Sequence, residues 1–143
     1  MNIKENEHLK RNKMNDLAKR VVACKGWEWL PGIAVYIKNS ELETVTSRVT
    51  GTIVPNSGGL RVITNQRWCK PTEVTPILED PATTGVLLQL CRDAGDEPSL
   101  HVRFEGGGWV VHTGLDFHGE SEATEIGAMV CYLESCDDDQ RGH

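Results

Sequence analysis

The stretch from residue 80 to residue 135 constrains the fold most, because its signals for helix, strand and turn follow one another with few gaps. Asp80 is a good helix N-cap, and Pro81 suits the first helical position, where its missing N–H has no helical partner to lose. Apolar residues then recur at helical spacing as far as Gly95, which can end the helix. We therefore predict a helix near 81–94.

A β-hairpin is expected after this helix. Residues 100–104 alternate apolar and polar side chains, as a strand with one buried face does. Three consecutive glycines can then adopt the positive φ angles that a tight turn requires. Residues 109–113 are rich in β-formers and should return antiparallel. The pattern predicts a hairpin near 99–113, in which His101 and His112 share one surface.

Two further helices complete the predicted set. Ser121 is a suitable N-cap, and the acidic residues that follow it suit the positive end of a helix dipole, so a helix is expected near 121–134. Another is expected near 15–25, where apolar residues fall on one side before Gly26 ends the pattern.

The middle of the chain carries strand signals. Residues 43–54 are long, β-branched and polar, which predicts a strand broken at Gly51. Residues 65–76 are expected to be irregular, because Pro71 and Pro76 argue against regular structure there.

These elements predict the α+β class, with a mainly antiparallel sheet packed with about three helices. A chain of 143 residues suffices for one domain. We expect residues 1–13 to be disordered or the frayed start of a helix, residues 14–135 to form the single domain, and residues 136–143 to be a solvated acidic tail.

Composition narrows the function classes. No stretch reaches the roughly 20 consecutive apolar residues of a membrane span. The polar N-terminus lacks the apolar core of a secretory signal, so a cytoplasmic location is expected. The five cysteines are an odd number without a C-x-x-C motif, which favours structural thiols over a disulfide framework or a metal site. No cofactor and no bound metal are expected.

Charge is unevenly distributed along the chain. Residues 1–71 hold 12 Lys and Arg against 6 Asp and Glu, whereas residues 72–143 hold 3 against 15. One interpretation is a basic binding surface on the N-terminal half. The other is that the two halves lie against each other and partly neutralise. The net charge of −6 argues against nucleic-acid binding under either interpretation.

Aromatic and basic residues occur together in the basic half. Indoles supply stacking faces for a base, and Arg or Lys supplies phosphate contacts. The competing interpretation is that the tryptophans anchor the core, since they carry a large apolar area. The candidate ligand-binding residues are Trp27, Trp29, Arg48, Arg61, Arg67, Trp68 and Lys70.

Catalysis is not favoured by any motif. The histidines at 101 and 112 do not form the paired H-x-[ST] of two-histidine phosphoesterases, and no nucleophile elbow or P-loop occurs. No catalytic residue is therefore assigned.

The segments 17–27 and 80–85, the strand pair ending at Trp109, and the segment 121–125 resemble parts of small uncharacterised proteins of tailed bacteriophages. These include proteins with the phage helix–sheet–helix sandwich domain. The resemblance covers residues 15–30 and 78–135, while residues 33–76 depart from it and could be an insertion that carries the particular activity. That family has no assigned catalytic residues to transfer.

The resemblance implies phage origin and action in the cytoplasm of a bacterial host. The expected function is a non-enzymatic accessory binding protein that counters host defence by sequestering an anionic nucleotide immune signal. Two alternatives stay open: an inhibitor that binds a host defence protein directly, and a small enzyme that degrades the nucleotide signal. A homo-oligomer is also expected, because an exposed sheet edge invites strand pairing.

Overall fold

The computed structural model describes the backbone of residues 3–38, 44–55, 59–113 and 116–141, and the side chains of residues 13–38, 44–55, 59–113 and 122–137. The predicted α+β class is confirmed. In chain order the elements are α1 (Ile3–Val22), β1 (Ala34–Lys38), β2 (Thr44–Ile53), β3 (Arg61–Thr64), β4 (Trp68–Cys69), a 3-10 turn (Pro71–Glu73), β5 (Val74–Pro76), α2 (Pro81–Gly95), β6 (His101–Glu105), β7 (Gly108–Thr113), β8 (Asp116–Glu122) and α3 (Glu125–Arg141).

The chain divides into two compact units. The first comprises residues 1–27 and 87–143, and the second comprises residues 28–86. The second unit holds a five-stranded sheet in the order β4-β3-β2-β1-β5, in which all neighbouring strands are antiparallel. The first four strands form a meander, and the last strand returns beside the first after the 3-10 turn.

The five-stranded sheet has one buried and one exposed face. Val35 and Ile37 on β1 and Val62 on β3 are fully buried. Their neighbours in the strands point the other way, because side chains alternate along a strand. On this outer face Tyr36 is 40% exposed and Trp68 is 60% exposed.

Strand β2 is irregular at its centre. Its pairing register with β3 shifts between Val49 and Gly51, as a β-bulge produces. The strand itself runs without interruption from Thr44 to Ile53, so the predicted break at Gly51 is wrong, and the irregularity there is a bulge.

The prediction that residues 65–76 lack regular structure is wrong. This segment forms β4, the 3-10 turn and β5. Pro71 is the first residue of the 3-10 turn, where its missing N–H is not needed. Pro76 ends β5, which is an edge strand and can accommodate a residue that donates no ladder hydrogen bond.

The first unit contains the sheet β6-β7-β8 together with α1 and α3. The predicted hairpin is confirmed as β6 and β7, with Glu105 paired with Gly108. Gly106 and Gly107 have φ angles of 60° and 88°. Positive φ at both positions is the signature of the two-residue type I′ turn, which favours glycine there.

The helix ends differ from those predicted. Helix α1 begins at Ile3 and thus includes most of the segment expected to be disordered or frayed. Helix α3 begins at Glu125 and is capped by Thr124, whose Oγ1 accepts a hydrogen bond from Gly127 N at 2.9 Å. Ser121, the predicted cap, lies in β8.

Helix α3 also continues to Arg141, through the residues expected to be an acidic tail. One of these residues, Asp137, accepts hydrogen bonds from Lys25 N at 3.0 and 3.1 Å. Helix α3 also contacts α1 itself, through the ion pair between Arg20 Nη2 and Glu134 Oε1 at 2.6 Å. Among the described residues, no helix is both long and apolar enough to cross a membrane.

Candidate ligand-binding face of the five-stranded sheet

Two of the predicted binding residues are buried. Trp27 is 8% exposed and Trp29 is 6% exposed. Neither ring offers a stacking face at the surface, and the competing interpretation of tryptophans as core anchors describes both of them.

Arg48 is held in an ion pair. Its Nη1 and Nη2 each donate a hydrogen bond of 2.8 Å to one carboxylate oxygen of Asp80. Nη1 also donates to Gly32 O at 3.0 Å. Asp80 has a second role, because its Oδ2 accepts a hydrogen bond from Thr83 N at 3.1 Å and so caps α2.

The pKa of Asp80 is lowered well below its ordinary value of 3.8. The largest cause is the hydrogen bond from the Arg48 side chain, with a further contribution from Thr83 N. The predicted cap at Asp80 is thus confirmed, and it comes with a partner 32 residues earlier in the chain.

A groove of about 400 Å³ lies beside this ion pair. Its lining residues are Ala34, Thr46, Ser47, Arg48, Asn65, Ile77 and Asp80. A negatively charged ligand in this groove would meet the Asp80 carboxylate and would compete with it for Arg48. The groove is therefore the weaker candidate for an anion site.

Arg67 is also paired with a carboxylate. Both of its terminal nitrogens lie 3.3 Å from Glu73 Oε2, and Nη2 donates to Lys38 O at 3.3 Å. The other Glu73 oxygen accepts a hydrogen bond of 2.7 Å from Lys70 N. This bond is the largest cause of a lowered pKa for Glu73. The charges of Arg67 and Glu73 largely cancel.

The remaining three predicted residues lie on one exposed surface. Ile63 on β3 is paired with Trp68 on β4 and with Gly51 on β2, so these residues form a row across the sheet. Arg61 lies two residues before Ile63 and shares its side of β3. Lys70 follows Trp68 by two residues in extended backbone and shares its side. We call these five residues the Trp68 face.

Gly51 leaves open space on the Trp68 face. A Cβ added at Gly51 would meet no heavy atom within 4 Å. Trp68 is 60% exposed at the other end of the row. A flat ring placed along this row could therefore contact both the indole and Ile63.

The face is also electropositive. Arg61 Nη1 donates to two main-chain oxygens, Gly59 O at 3.1 Å and Leu60 O at 3.4 Å. Within the part of the chain that the structure describes, neither Arg61 nor Lys70 forms an ion pair. Glu73, the carboxylate nearest in sequence, is paired with Arg67. Two positive charges are thus available beside an exposed indole.

The two histidines lie on the three-stranded sheet. They are paired in register, as predicted, and their rings stack with centroids 5.5 Å apart and planes at 18°. His112 Nε2 lies 3.0 Å from Glu105 Oε2, and His101 Nδ1 lies 3.1 Å from Ser99 O. Among the described residues no group of three or more His, Cys, Asp or Glu is arranged to hold a metal ion. The arrangement is typical of a packed structural pair.

The cysteines are all free thiols. Burial is the largest cause of the raised pKa of Cys24, which is about 11, and of Cys91, which is about 12. Such thiols are weak nucleophiles near neutral pH. They behave as the structural thiols predicted from their spacing.

Fold and site together define a class: an α+β protein whose five-stranded sheet exposes an indole beside two cations. No protein-family model, no curated protein and no solved structure matches the chain.

Proposed function

We propose that the protein is a non-enzymatic binding protein that holds a small anionic nucleotide on the Trp68 face. The observation that supports this most is the position of Trp68, 60% exposed, on the same side of the sheet as Arg61 and Lys70. A base could stack on the indole while its phosphates contact the two cations.

The binding free energies favour a ligand that both stacks on the indole and contacts the two cations. Stacking of one base on an aromatic side chain contributes about 1–3 kcal/mol. A hydrogen bond to a charged group adds roughly 1.5–3 kcal/mol. Neither alone gives tight binding, since a micromolar complex requires about 8 kcal/mol. A ligand with one or more bases and several phosphate oxygens would combine them.

The biological setting is part of the same proposal. The resemblance of residues 15–30 and 78–135 to tailed-bacteriophage proteins supports action in an infected bacterial cell. There, sequestration of a nucleotide immune signal would counter host defence without any chemical step. This part of the proposal rests on the resemblance alone.

The test is a binding experiment with recovery of the ligand. The purified full chain is titrated with a panel of cyclic mononucleotides, cyclic oligonucleotides and ADP-ribose by calorimetry. The complex is then denatured and the ligand is analysed by chromatography. We expect saturable binding and return of the ligand unchanged. Absence of binding across the panel would overturn the proposal, and an altered ligand would identify a degrading enzyme instead.

Variants locate the site. Trp68→Ala should weaken binding roughly 5- to 150-fold, as expected for the loss of one stacked base. Arg61→Ala should weaken it roughly ten- to hundredfold. Tyr36→Ala is the matched control, because Tyr36 is an exposed aromatic residue on the outer face but outside the Trp68 face. Binding that is unchanged in Trp68→Ala would exclude this face.

A further inference from the structure

Strand β6 presents an open edge. It is the first strand of the order β6-β7-β8, and no described strand pairs with its other side. Arg103, Phe104 and Glu105 are all exposed, with Phe104 at 62%. An exposed edge strand is a template for pairing with another chain unless charge, proline or a bulge prevents it. Residues 101–105 contain neither proline nor a bulge.

The hairpin determines which backbone groups face outwards. A two-residue type I′ turn is closed by a hydrogen-bonded pair, here Glu105 and Gly108. Hydrogen-bonded pairs alternate with non-hydrogen-bonded pairs along the ladder. The N–H and C=O groups of Val102 and Phe104 therefore point away from β7.

A contact at the start of the strand agrees with this assignment. Leu100 lies two residues before Val102, so its N–H and C=O groups also point away from β7. Its carbonyl oxygen accepts a hydrogen bond of 2.9 Å from Arg92 Nε. This outward carbonyl is therefore occupied within the chain. The edge that can accept another strand runs from Val102 to the glycine turn.

Charges of opposite sign flank Phe104. Arg103 Nε lies 3.4 Å from Glu105 Oε1, and the two side chains are 57% and 42% exposed. Glu105 also contacts His112 through its other oxygen at 3.0 Å. The exposed part of the edge thus carries a positive, an aromatic and a negative side chain in succession.

We propose that β6 pairs antiparallel with β6 of a second copy of this chain, around a two-fold axis beside Phe104. In this register Phe104 lies opposite Phe104 of the second copy. Each Arg103 lies opposite a Glu105, so two opposite-charge pairs form across the interface. The outward N–H and C=O of both Phe104 residues exchange hydrogen bonds.

Charge selects this register over its neighbours. Moving the two-fold axis by one residue in either direction, which slides one strand by two residues, places Arg103 opposite Arg103 or Glu105 opposite Glu105. Like charges directly opposite each other destabilise a strand pair. Centring the axis on Val102 places Arg103 opposite His101 and forms no opposite-charge pair. In the proposed register the charged pairs are non-hydrogen-bonded pairs, whose Cα atoms approach to about 4.5 Å.

The aromatic residues add apolar contact. Phe104 packs edge-to-face on Trp109, with ring centroids 5.5 Å apart and planes at 68°. Phe104 of the second copy would cover the exposed ring on the same side of the sheet. The pairing therefore removes from water an aromatic surface that the single chain leaves exposed.

Charge reversal tests the proposal. Sedimentation of the full chain over a range of concentrations should show a monomer–dimer equilibrium. Arg103→Glu places only glutamates across the interface, and Glu105→Arg places only arginines, so each variant alone should be monomeric. An equimolar mixture of the two variants should dimerise, because every pair then has opposite charges. Lys19→Glu, the same charge change at an exposed residue outside β6, should leave the dimer intact.

Cross-linking gives a second measurement that does not depend on charge. In Phe104→Cys the new thiols lie on the two-fold axis with Cα atoms about 5.5 Å apart, within the range of a disulfide. Oxidised glutathione, as the two-electron acceptor, should yield a covalent dimer in this variant. Val102→Cys, which faces Gly106 of the second copy, should yield no more than the wild-type chain.

Two results would contradict pairing through β6. A wild-type chain that stays monomeric at all concentrations would overturn the proposal. So would a dimer that survives both charge reversals, since it would use another surface. Circular dichroism of each variant confirms that the loss of the dimer is not a loss of the fold.

Discussion

Arg48 and Asp80 are joined by two parallel hydrogen bonds of 2.8 Å, and the same Asp80 carboxylate caps α2 through Thr83 N. One side chain therefore connects strand β2 to the start of a helix. Thr83 extends this connection, because its hydroxyl accepts a hydrogen bond of 2.8 Å from Ala34 N on β1.

Removal of the Asp80 carboxylate should destabilise the chain. Loss of the cap in Asp80→Ala should lower the free energy of unfolding by about 1 kcal/mol, and loss of the ion pair should lower it further. Asp80→Asn keeps a good cap without the charge, so it should fall between Asp80→Ala and the wild type. Urea unfolding measures all three. Glu79→Ala is the exposed neighbouring control, and an equal loss there would contradict the assignment.

Acid should weaken the chain partly through the same residue. The pKa of Asp80 lies below its ordinary value of 3.8 because of Arg48 first and Thr83 N as a further cause. A carboxyl with a lower pKa in the folded chain contributes fully above its unfolded pKa, and its contribution is lost as the pH falls towards the folded value. The urea midpoint should therefore fall more in the wild type than in Asp80→Asn between about pH 5 and about pH 2.

Two glycines of α2 should respond oppositely to alanine. A Cβ at Gly95 would collide with the Tyr132 hydroxyl, whereas a Cβ at Gly85 meets nothing within 4 Å. Gly95→Ala should lower the unfolding free energy by about 1–3 kcal/mol, as overpacking does. Gly85→Ala should raise it by about 0.5–1 kcal/mol through higher helix propensity. Tyr132→Phe should partly restore the stability of Gly95→Ala, and independent effects of the two changes would refute the collision.

Thiol labelling should follow burial. Cys24, with a pKa of about 11, and Cys91, with a pKa of about 12, should resist iodoacetamide in the folded chain. Cys131 is the partly exposed thiol of the five, so it should react first even though burial also raises its pKa. Mass spectrometry of tryptic peptides measures the order, and urea should make all five equally reactive. Early labelling of Cys91 would show that its site opens readily.

The elements predicted well are those with local chemistry. Asp80 and Pro81 start α2, and the glycines at 106 and 107 close a two-residue turn, within a few residues of sequence. These signals act through φ angles and nearby N–H groups, so they need no knowledge of the rest of the fold.

The elements that were missed depend on distant partners. Strand β4 has two residues and β5 has three, and both exist because they pair with strands elsewhere in the sheet. The cap of α3 shifted from Ser121 to Thr124 because β8 takes up the residues before it. Side-chain type alone could not reveal either outcome.

The candidate site also combines residues that the sequence could indicate with properties that depend on the fold. Composition placed three tryptophans in the basic half, but only the fold separates the buried Trp27 and Trp29 from the exposed Trp68. The sequence did not show that Arg48 and Arg67 are paired with carboxylates. The fold places Asp80 beside Arg48 and Glu73 beside Arg67. Only the pairing register places Arg61 on the side of the sheet that Trp68 occupies.

The bulge in β2 has a consequence for how that surface is made. Before it, even-numbered residues such as Arg48 project outwards, whereas after it the odd-numbered Gly51 does so. If Thr50 instead took a regular place in the ladder after the Val49–Thr64 pair, its side chain would lie opposite Ile63, in the position that Gly51 now occupies. The open space beside the indole thus depends on the bulge, because a regular ladder would place a threonine there.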